Sequence, residues 1–340
     1  MAVKRITMQD VADACGLSRN TISKIFNGRG SVSESTRRAV VETAKKIGYV
    51  NFPENTAAPE EKNIAILSGS KLRRHHFGAY FVTSFTDQVC RSGYNIKMYE
   101  ITDAEIKERK LPPHLQLDDT AGILCIELFD QAYQQMIAAL GLPCLFVDGY
   151  ARENKTILNC DFVTMENYAA TQFLVNHLID KGARCLGFVG DKEHCNSFYE
   201  RWSGFGAALS DADLPVDRRF CILEPDGEIY ADADRLAEKL NAMPHIPDAL
   251  VCANDFIAIH VSAALKKLGK KIPDDVMVTG FDGSPEAMVV EPSLTTVSID
   301  NNGIGRLAAV QLISRIRNPG CPPVWTAVTS TPILGDSTKK

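Results

Sequence analysis

From Asn63 onward, short apolar runs alternate with longer amphipathic segments, and no other feature narrows the possible folds as far. NIAILSG, NIKMYEI, GILCIEL and CLFVDG are separated by helical patterns, and CLGFVGD, CILEPD, ALVCAND and VMVTGFD repeat the arrangement. Parallel strands need crossovers, so this alternation predicts parallel sheets with covering helices. Two runs of four predict two similar lobes, with a break near Cys160 and Asp161. A chain of 340 residues is also too long for one ordinary core, which agrees with more than one unit.

The first fifty residues are different. They carry nine Lys or Arg against four acids, a net of +5, whereas the whole chain stands at −5. A basic head on an acidic body points to a polyanionic partner at one end only. Thr7 is placed to cap a helix in which Met8, Val11, Ala12 and Cys15 recur at helical spacing, with Ile6 set to staple on Val11. Gly16 ends it, Ser18 caps a second helix, and a third runs from about Glu34 to Ile47 before Gly48. Two short helices on so tight a turn, followed by a third, form a helix-turn-helix pattern. At about 100° per residue, Ile22, Ile25 and Phe26 fall together on one side of the second helix. Arg19, Asn20, Ser23, Lys24 and Asn27 fall on the other, where no carboxylate interrupts donors suited to base edges and phosphates.

ITMQDVADACGLSRNTISKIFNGRGSVSESTRRAVVETAKKIGYV resembles the DNA-binding head of the lactose-repressor (LacI/GalR) family of bacterial transcription regulators. The resemblance implies that Arg19, Asn20 and Lys24 read bases in the major groove. It places Thr7, Thr21, Ser23, Asn27, Ser33 and Thr36 among phosphate-contacting or capping positions. The stretch VNFPENTAAPEEKN, Val50 to Asn63, which contains the linker 51–62, departs from the family. Ala58 stands where a wedge leucine is usual, Pro59 follows it, and only five residues separate Pro53 from Pro59. So short a stretch is not expected to hold a hinge helix or to kink DNA.

In open α/β sheets, ligands bind beyond the carboxyl ends of strands. Asp148, Asp191, Asn254, Asp255 and Asp282 stand at such ends. Carboxylates and an amide suit a polyhydroxylated ligand, and Asp255 is also placed to cap the next helix, whereas Asn254 and Asp282 are read as ligand contacts ahead of caps. ERWSGF, CANDFIAIHVSAALKKLGKKIPDDVMVTGFDGS and PSLTTVSID resemble the same family's body. The resemblance implies effector contacts at Arg201, Asn254 and Asp282, and at Asp148. Phe77, Phe198, Tyr230 and Phe281 are aromatic candidates for stacking on a sugar or base. SKLRRHHFGAYF departs from the family's Asn-Pro-aromatic pattern.

The expected architecture is thus a helix-turn-helix head, residues 1–50, a linker, 51–62, and a two-lobe periplasmic-binding-protein-like body, 63–340. Lobe one is expected at about 63–160 and 298–325, and lobe two at about 161–297 and 326–338. The last helix, about Asn302 to Ile316, should join lobe one, and the three crossings between lobes should form a hinge. The expected function is a repressor binding a palindromic operator as a homodimer, controlled by a sugar or sugar phosphate in the cleft. A nucleobase, a nucleoside or a protein partner is the alternative effector, and a transport-type sugar-binding protein is the rival class. No P-loop, dinucleotide fingerprint or nucleophile motif suggests an enzyme. Ten cysteines without a C-x-x-C pair suggest buried reduced thiols and neither metal nor cofactor. The absence of a signal-like or membrane-spanning apolar run suggests the cytoplasm.

Overall fold

The computed structural model describes residues 6–26, 34–49, 62–69, 76–150, 158, 160–225 and 227–339. The chain divides into two compact units, Met1–Lys62 and Asn63–Lys340. Linker residues 51–61, and with them the expectation of no hinge helix, lie outside the described residues.

In the first unit, α1 (Met8–Cys15) and α2 (Arg19–Phe26) are followed by α3 (Glu34–Lys46). Thr7 and Asp10 close a reciprocal capping box on α1. Gly16 ends the helix at φ 65°, a backbone conformation a side chain would disfavour. Ser18 Oγ accepts from Thr21 N at 3.1 Å and caps α2. Val11, Ala12, Ile22, Ile25, Phe26, Val40, Ala44 and Tyr49 form the core, with Phe26 and Tyr49 stacked at 5.6 Å. Each large side chain so buried contributes about 1.5–3 kcal/mol.

The body begins with β1 (Asn63–Gly69), α4 (His76–Arg91), β2 (Asn95–Ile101), α5 (Asp103–Glu108), β3 (Thr120–Ile126), α6 (Gln131–Ala138), β4 (Cys144–Val147) and β5 (Asp161–Met165). It continues through α7 (Tyr168–Asp180), β6 (Leu186–Val189), α8 (Asn196–Asp211), α9 (Ala233–Asn241), β7 (Ala249–Cys252), α10 (Asp255–Lys267) and β8 (Met277–Thr279). The last elements are α11 (Pro285–Val289), β9 (Thr296–Ser298), α12 (Asn301–Arg317), β10 (Trp325–Val328) and β11 (Thr331–Ile333). The first lobe is a six-stranded parallel sheet in the order β10-β5-β4-β3-β1-β2. The second is the parallel sheet β6-β7-β8, extended by single bridges from Val189 to Ile222 and from Thr279 to Thr295.

Pairing moves the expected seam in two places and shortens one expected strand. Asp161–Met165 belongs to the first sheet because it pairs in parallel with β4, so the chain enters the second lobe after Met165 and not at Cys160. Trp325–Val328 pairs with β5 and joins the first sheet as well; only β11 returns, pairing antiparallel with β9. CILEPD forms a bridge at Ile222 in place of a full strand. A single run of apolar residues does not specify its neighbour, so these assignments come from register.

Helix α12 lies in lobe one, as expected. Its Ile304, Ala308, Ala309, Leu312 and Ile313 share a core with Ile64, Ile66, Phe81, Phe85 and Leu124. Three segments cross between the lobes: after Met165, after Ser298 and after Val328. The first and third are laced together, with Glu166 N donating to Val328 O at 2.7 Å and Ser330 Oγ to Glu166 O at 2.9 Å.

Candidate functional site

In the head, α2 presents two chemically distinct faces. Ile22, Ile25 and Phe26 are buried, whereas Arg19, Asn20 and Lys24 are exposed and Thr21 and Ser23 half-buried. The first turn carries no acid. Thr7 is exposed, and its hydroxyl accepts from Asp10 N at 3.4 Å, so it acts as a cap. Thr36 is half-buried on α3. Asn27 and Ser33 lie outside the described residues.

In the body, polar groups gather where strands of the two lobes end. Glu127, Asp148 and Asp282 follow β3, β4 and β8 with φ of 53°, 62° and 113°, values that a non-glycine residue holds only when its surroundings impose them. Asp148 is 7% exposed. It reaches across the seam to cap α8, accepting from Ser197 N at 3.2 Å, and Asn196 N donates to Gly149 O at 2.8 Å. A carboxylate at a helix N-terminus is favoured by the partial positive charge there. Phe129 of lobe one meets His194 of lobe two edge-on at 5.1 Å, and His194 also contacts Phe198 at 5.2 Å.

Arg201 occupies the centre. It is 3% exposed. Its Nε donates to Asn167 Oδ1 at 2.9 Å and its Nη1 to Ala253 O at 2.6 Å, while Nη2 stands 3.4 Å from Asp282 Oδ1. The guanidinium lies over Phe281 at 3.7 Å and beside Phe198 at 5.6 Å. Phe281, an aromatic candidate for the ligand wall, is therefore a buried platform for Arg201. Asn254, read as a ligand contact ahead of a cap, caps α10 by accepting from Ile257 N at 2.9 Å.

Asp255, expected to cap, does something else. Its carboxylate accepts from Thr296 Oγ1 at 2.5 Å and from Ser284 N at 2.7 Å, tying β9 to the second lobe. Gly280 leaves room for it, since a Cβ there would lie 2.2 Å from Asp255 Oδ1. Tyr230 is a core residue, 3% exposed, with its hydroxyl donating to Glu224 O at 2.7 Å. The side chain of Phe77 lies outside the described residues. Asp191 accepts from Glu193 N at 2.8 Å. Sequence reasoning missed Asn167, Ser197 and Glu127, which carry no motif of their own.

Burial pushes Asp282 up to about 7, against the pull of Arg201, with Asp255 and Glu127 adding to the rise. The side chain retains 34% of its surface, yet the surrounding protein removes enough solvation to favour the neutral form. Asp255 is pushed up to about 6 by burial, opposed by its hydrogen bonds from Thr296 and Ser284. Both acids hold their protons more tightly folded than unfolded. Their contribution to stability is therefore complete below about pH 4 and is lost as pH rises through 6 to 7. Each unit corresponds to about 1.4 kcal/mol; discounted for the solvent-facing third of Asp282, its share is of order 1–2 kcal/mol. Melting curves between pH 5 and 8 should show a decline of roughly 3 °C or more. Asp282→Asn should flatten that slope, and an unchanged slope would assign it to other groups.

Among the described residues, no group of three His, Cys, Asp or Glu could hold a metal ion. No helix among them is long and apolar enough to cross a membrane.

The family described as bacterial regulatory proteins, lacI family, matches residues 7–51, and the periplasmic binding protein-like domain matches residues 175–338. The chain is 27% identical over 329 residues to the HTH-type transcriptional regulator CelR of Thermobifida fusca, covering 94% of this chain and 95% of that protein. It is 25% identical over 341 residues to the ribose operon repressor of Halalkalibacterium halodurans, covering 98% and 97%. Among solved structures, a transcriptional regulator CelR–cellobiose complex superposes with a TM-score of 0.72 at 24% identity, covering 98% of this chain and all of that one. A lac repressor dimer bound to operator and an anti-inducer superposes at 0.71 and 20% identity, covering 99% and 100%. A capped helix-turn-helix head of the lacI family of bacterial regulatory proteins is thus followed by a two-lobe periplasmic binding protein-like body, and transcriptional regulators match this arrangement along nearly its whole length.

Proposed function

We propose that the chain is a transcriptional repressor that binds an operator through α2 and is controlled by a sugar held between the lobes of its body. Arg19, Asn20 and Lys24 read base edges, while Thr21, Ser23, Thr36, Asn27 and Ser33 stand among the phosphate contacts. The observation that carries the effector reading is Arg201, a buried guanidinium aimed at Asp282 in a seam crossed by three chain segments. Paired donors and acceptors of this kind match vicinal hydroxyls. Phe198, half-buried beside Arg201, also favours a second reading, in which it stacks on a nucleobase. The protein acts by binding and not by turnover, in the cytoplasm where its operator lies.

A thermal-shift screen of the full-length protein against mono- and disaccharides, sugar phosphates, nucleobases and nucleosides tests the effector. A ligand at 100 times its dissociation constant adds about 2.7 kcal/mol and should raise the melting point by about 5 °C or more. The same ligand must then change operator affinity in a gel-shift titration. A folded protein silent to the whole panel, or a ligand that leaves DNA binding untouched, contradicts the reading.

The working form is a homodimer on a two-fold operator. Its surface on lobe two is the apolar patch of Phe256, Met288 and Val289, which are 39%, 41% and 82% exposed, beside a groove lined by Ile259, Ala263 and Pro292. Val289→Asp should shift the protein toward monomer in sedimentation velocity. It should also weaken operator binding by about a hundredfold, because the second head loses its effective concentration. A variant that sediments as a dimer would place the interface elsewhere.

A further inference from the structure

At the first crossing between lobes, Asn167 sits between β5 and α7 with 1% of its surface exposed. Its carboxamide is fully engaged. Nδ2 donates to Met165 O and to Glu200 Oε2, both at 2.9 Å, and to Ser197 Oγ at 3.3 Å. Oδ1 accepts from Arg201 Nε at 2.9 Å. Ser197, Glu200 and Arg201 stand at i, i+3 and i+4, along one face of α8, so a single amide gathers that face. Two of its partners bear on the cleft: Ser197 N is capped by Asp148 of the other lobe, and Arg201 faces Asp282.

A guanidinium is planar, and holding two of its nitrogens fixes the third. With Nε on Asn167 and Nη1 on Ala253 O, Nη2 has one direction left, toward Asp282. Ala253 O is a backbone group that no substitution removes, so Asn167 is the side chain that decides this orientation. It also lies on a segment whose backbone must change when one lobe turns against the other. Its neighbour Glu166 is bonded to the third crossing, at Val328 and Ser330.

We infer that Asn167 is a positioning residue for effector capture: from the first hinge crossing it sets the Arg201 guanidinium toward Asp282 and ties its engagement to the rotation of the lobes. The inference rests on the reading of the cleft as the effector site. Ligand that pulls on Arg201 pulls on the crossing through one hydrogen bond, and rotation of the crossing in turn moves Arg201. The coupling is short and direct, unlike a path inferred from proximity alone.

The test uses full-length protein and the Nε–H resonance of Arg201, assigned by its disappearance in Arg201→Lys. Hydrogen exchange at Nε should be slow in the native chain. Asn167→Ala should speed it by about tenfold or more, the scale of one lost hydrogen bond. Asn167→Asp should keep it slow, because a carboxylate oxygen still accepts from Nε although donation to Met165 O, Glu200 and Ser197 is gone. In the ligand panel, apparent affinity should fall about tenfold in Asn167→Ala and be retained in Asn167→Asp. Unchanged exchange in Asn167→Ala, or fast exchange with a full ligand response, overturns the inference. If the alanine variant does not fold, the aspartate variant decides: fast exchange there overturns the inference, and slow exchange supports it. A panel silent to the native protein counts against the effector reading alone, since the exchange measurement needs no ligand.

Discussion

Arg201→Ala is expected to abolish the response to ligand while leaving the affinity of the ligand-free protein for its operator nearly intact. The guanidinium is buried and makes two close hydrogen bonds as well as facing Asp282. Its removal takes a charge-assisted donor from the cleft and leaves Asn167 Oδ1, Ala253 O and the Asp282 carboxylate short of a partner. Such losses cost about 2–4 kcal/mol in binding, roughly 30- to 1,000-fold in affinity. The fold should weaken too, and with a sign set by pH. At pH 8 an ionised Asp282 loses its counter-charge, whereas near pH 6 it is largely protonated and loses less, because its pKa stands at about 7 with Arg201 present and rises further without it. Thermal melts at both pH values, with and without ligand, and a gel-shift titration check these points. A folded dimer of Arg201→Ala that responds normally, or one that no longer binds DNA, would show that the roles are not separated in this way.

The converse is expected of Arg19→Ala. Arg19 is exposed at the first turn of α2, opposite the buried Ile22, Ile25 and Phe26, and contributes nothing to the head's core. A bidentate contact to guanine is worth about 1–3 kcal/mol, so operator affinity should fall by roughly 5- to 150-fold. The loss should be confined to operator sequences carrying guanine at one position, with the salt dependence little changed, since a base contact releases few counterions. The ligand-induced thermal shift should survive, because Arg19 and Arg201 lie in separate compact units. Equal weakening on unrelated DNA, with a salt slope lower by about one, would make Arg19 a phosphate contact instead. No weakening on any DNA would remove it from the interface.

Much of this protein is legible in its sequence where the physics is local. The capping box of Thr7 and Asp10, the left-handed stop at Gly16 and the two faces of α2 depend on residues within one or two helical turns. The strand-helix alternation likewise announces parallel sheets, because each apolar run must be buried on both faces. The body's site is less legible, because its contacts join segments distant in sequence. Asn254 and Asp255 are adjacent and both suited to capping, yet Asn254 caps α10 while Asp255 turns to Thr296 and Ser284. Nothing within α10 distinguishes them. The choice is made by β9 arriving from forty-one residues away, with Gly280 leaving space for the carboxylate.

Spacing and side-chain chemistry along the chain specify the classes of element, the basic head with its carboxylate-free helix face, and the strand ends at which polar groups collect. Packing in three dimensions is what assigns β5 and β10 to the first sheet, Asp148 to the cap of a helix in the opposite lobe, and Arg201 to the grip of Asn167. Those outcomes depend on strand register and on contacts between segments distant in sequence. A side chain's chemistry states what partner it needs; which partner it receives is settled when the two lobes pack and every buried donor and acceptor must be satisfied at once.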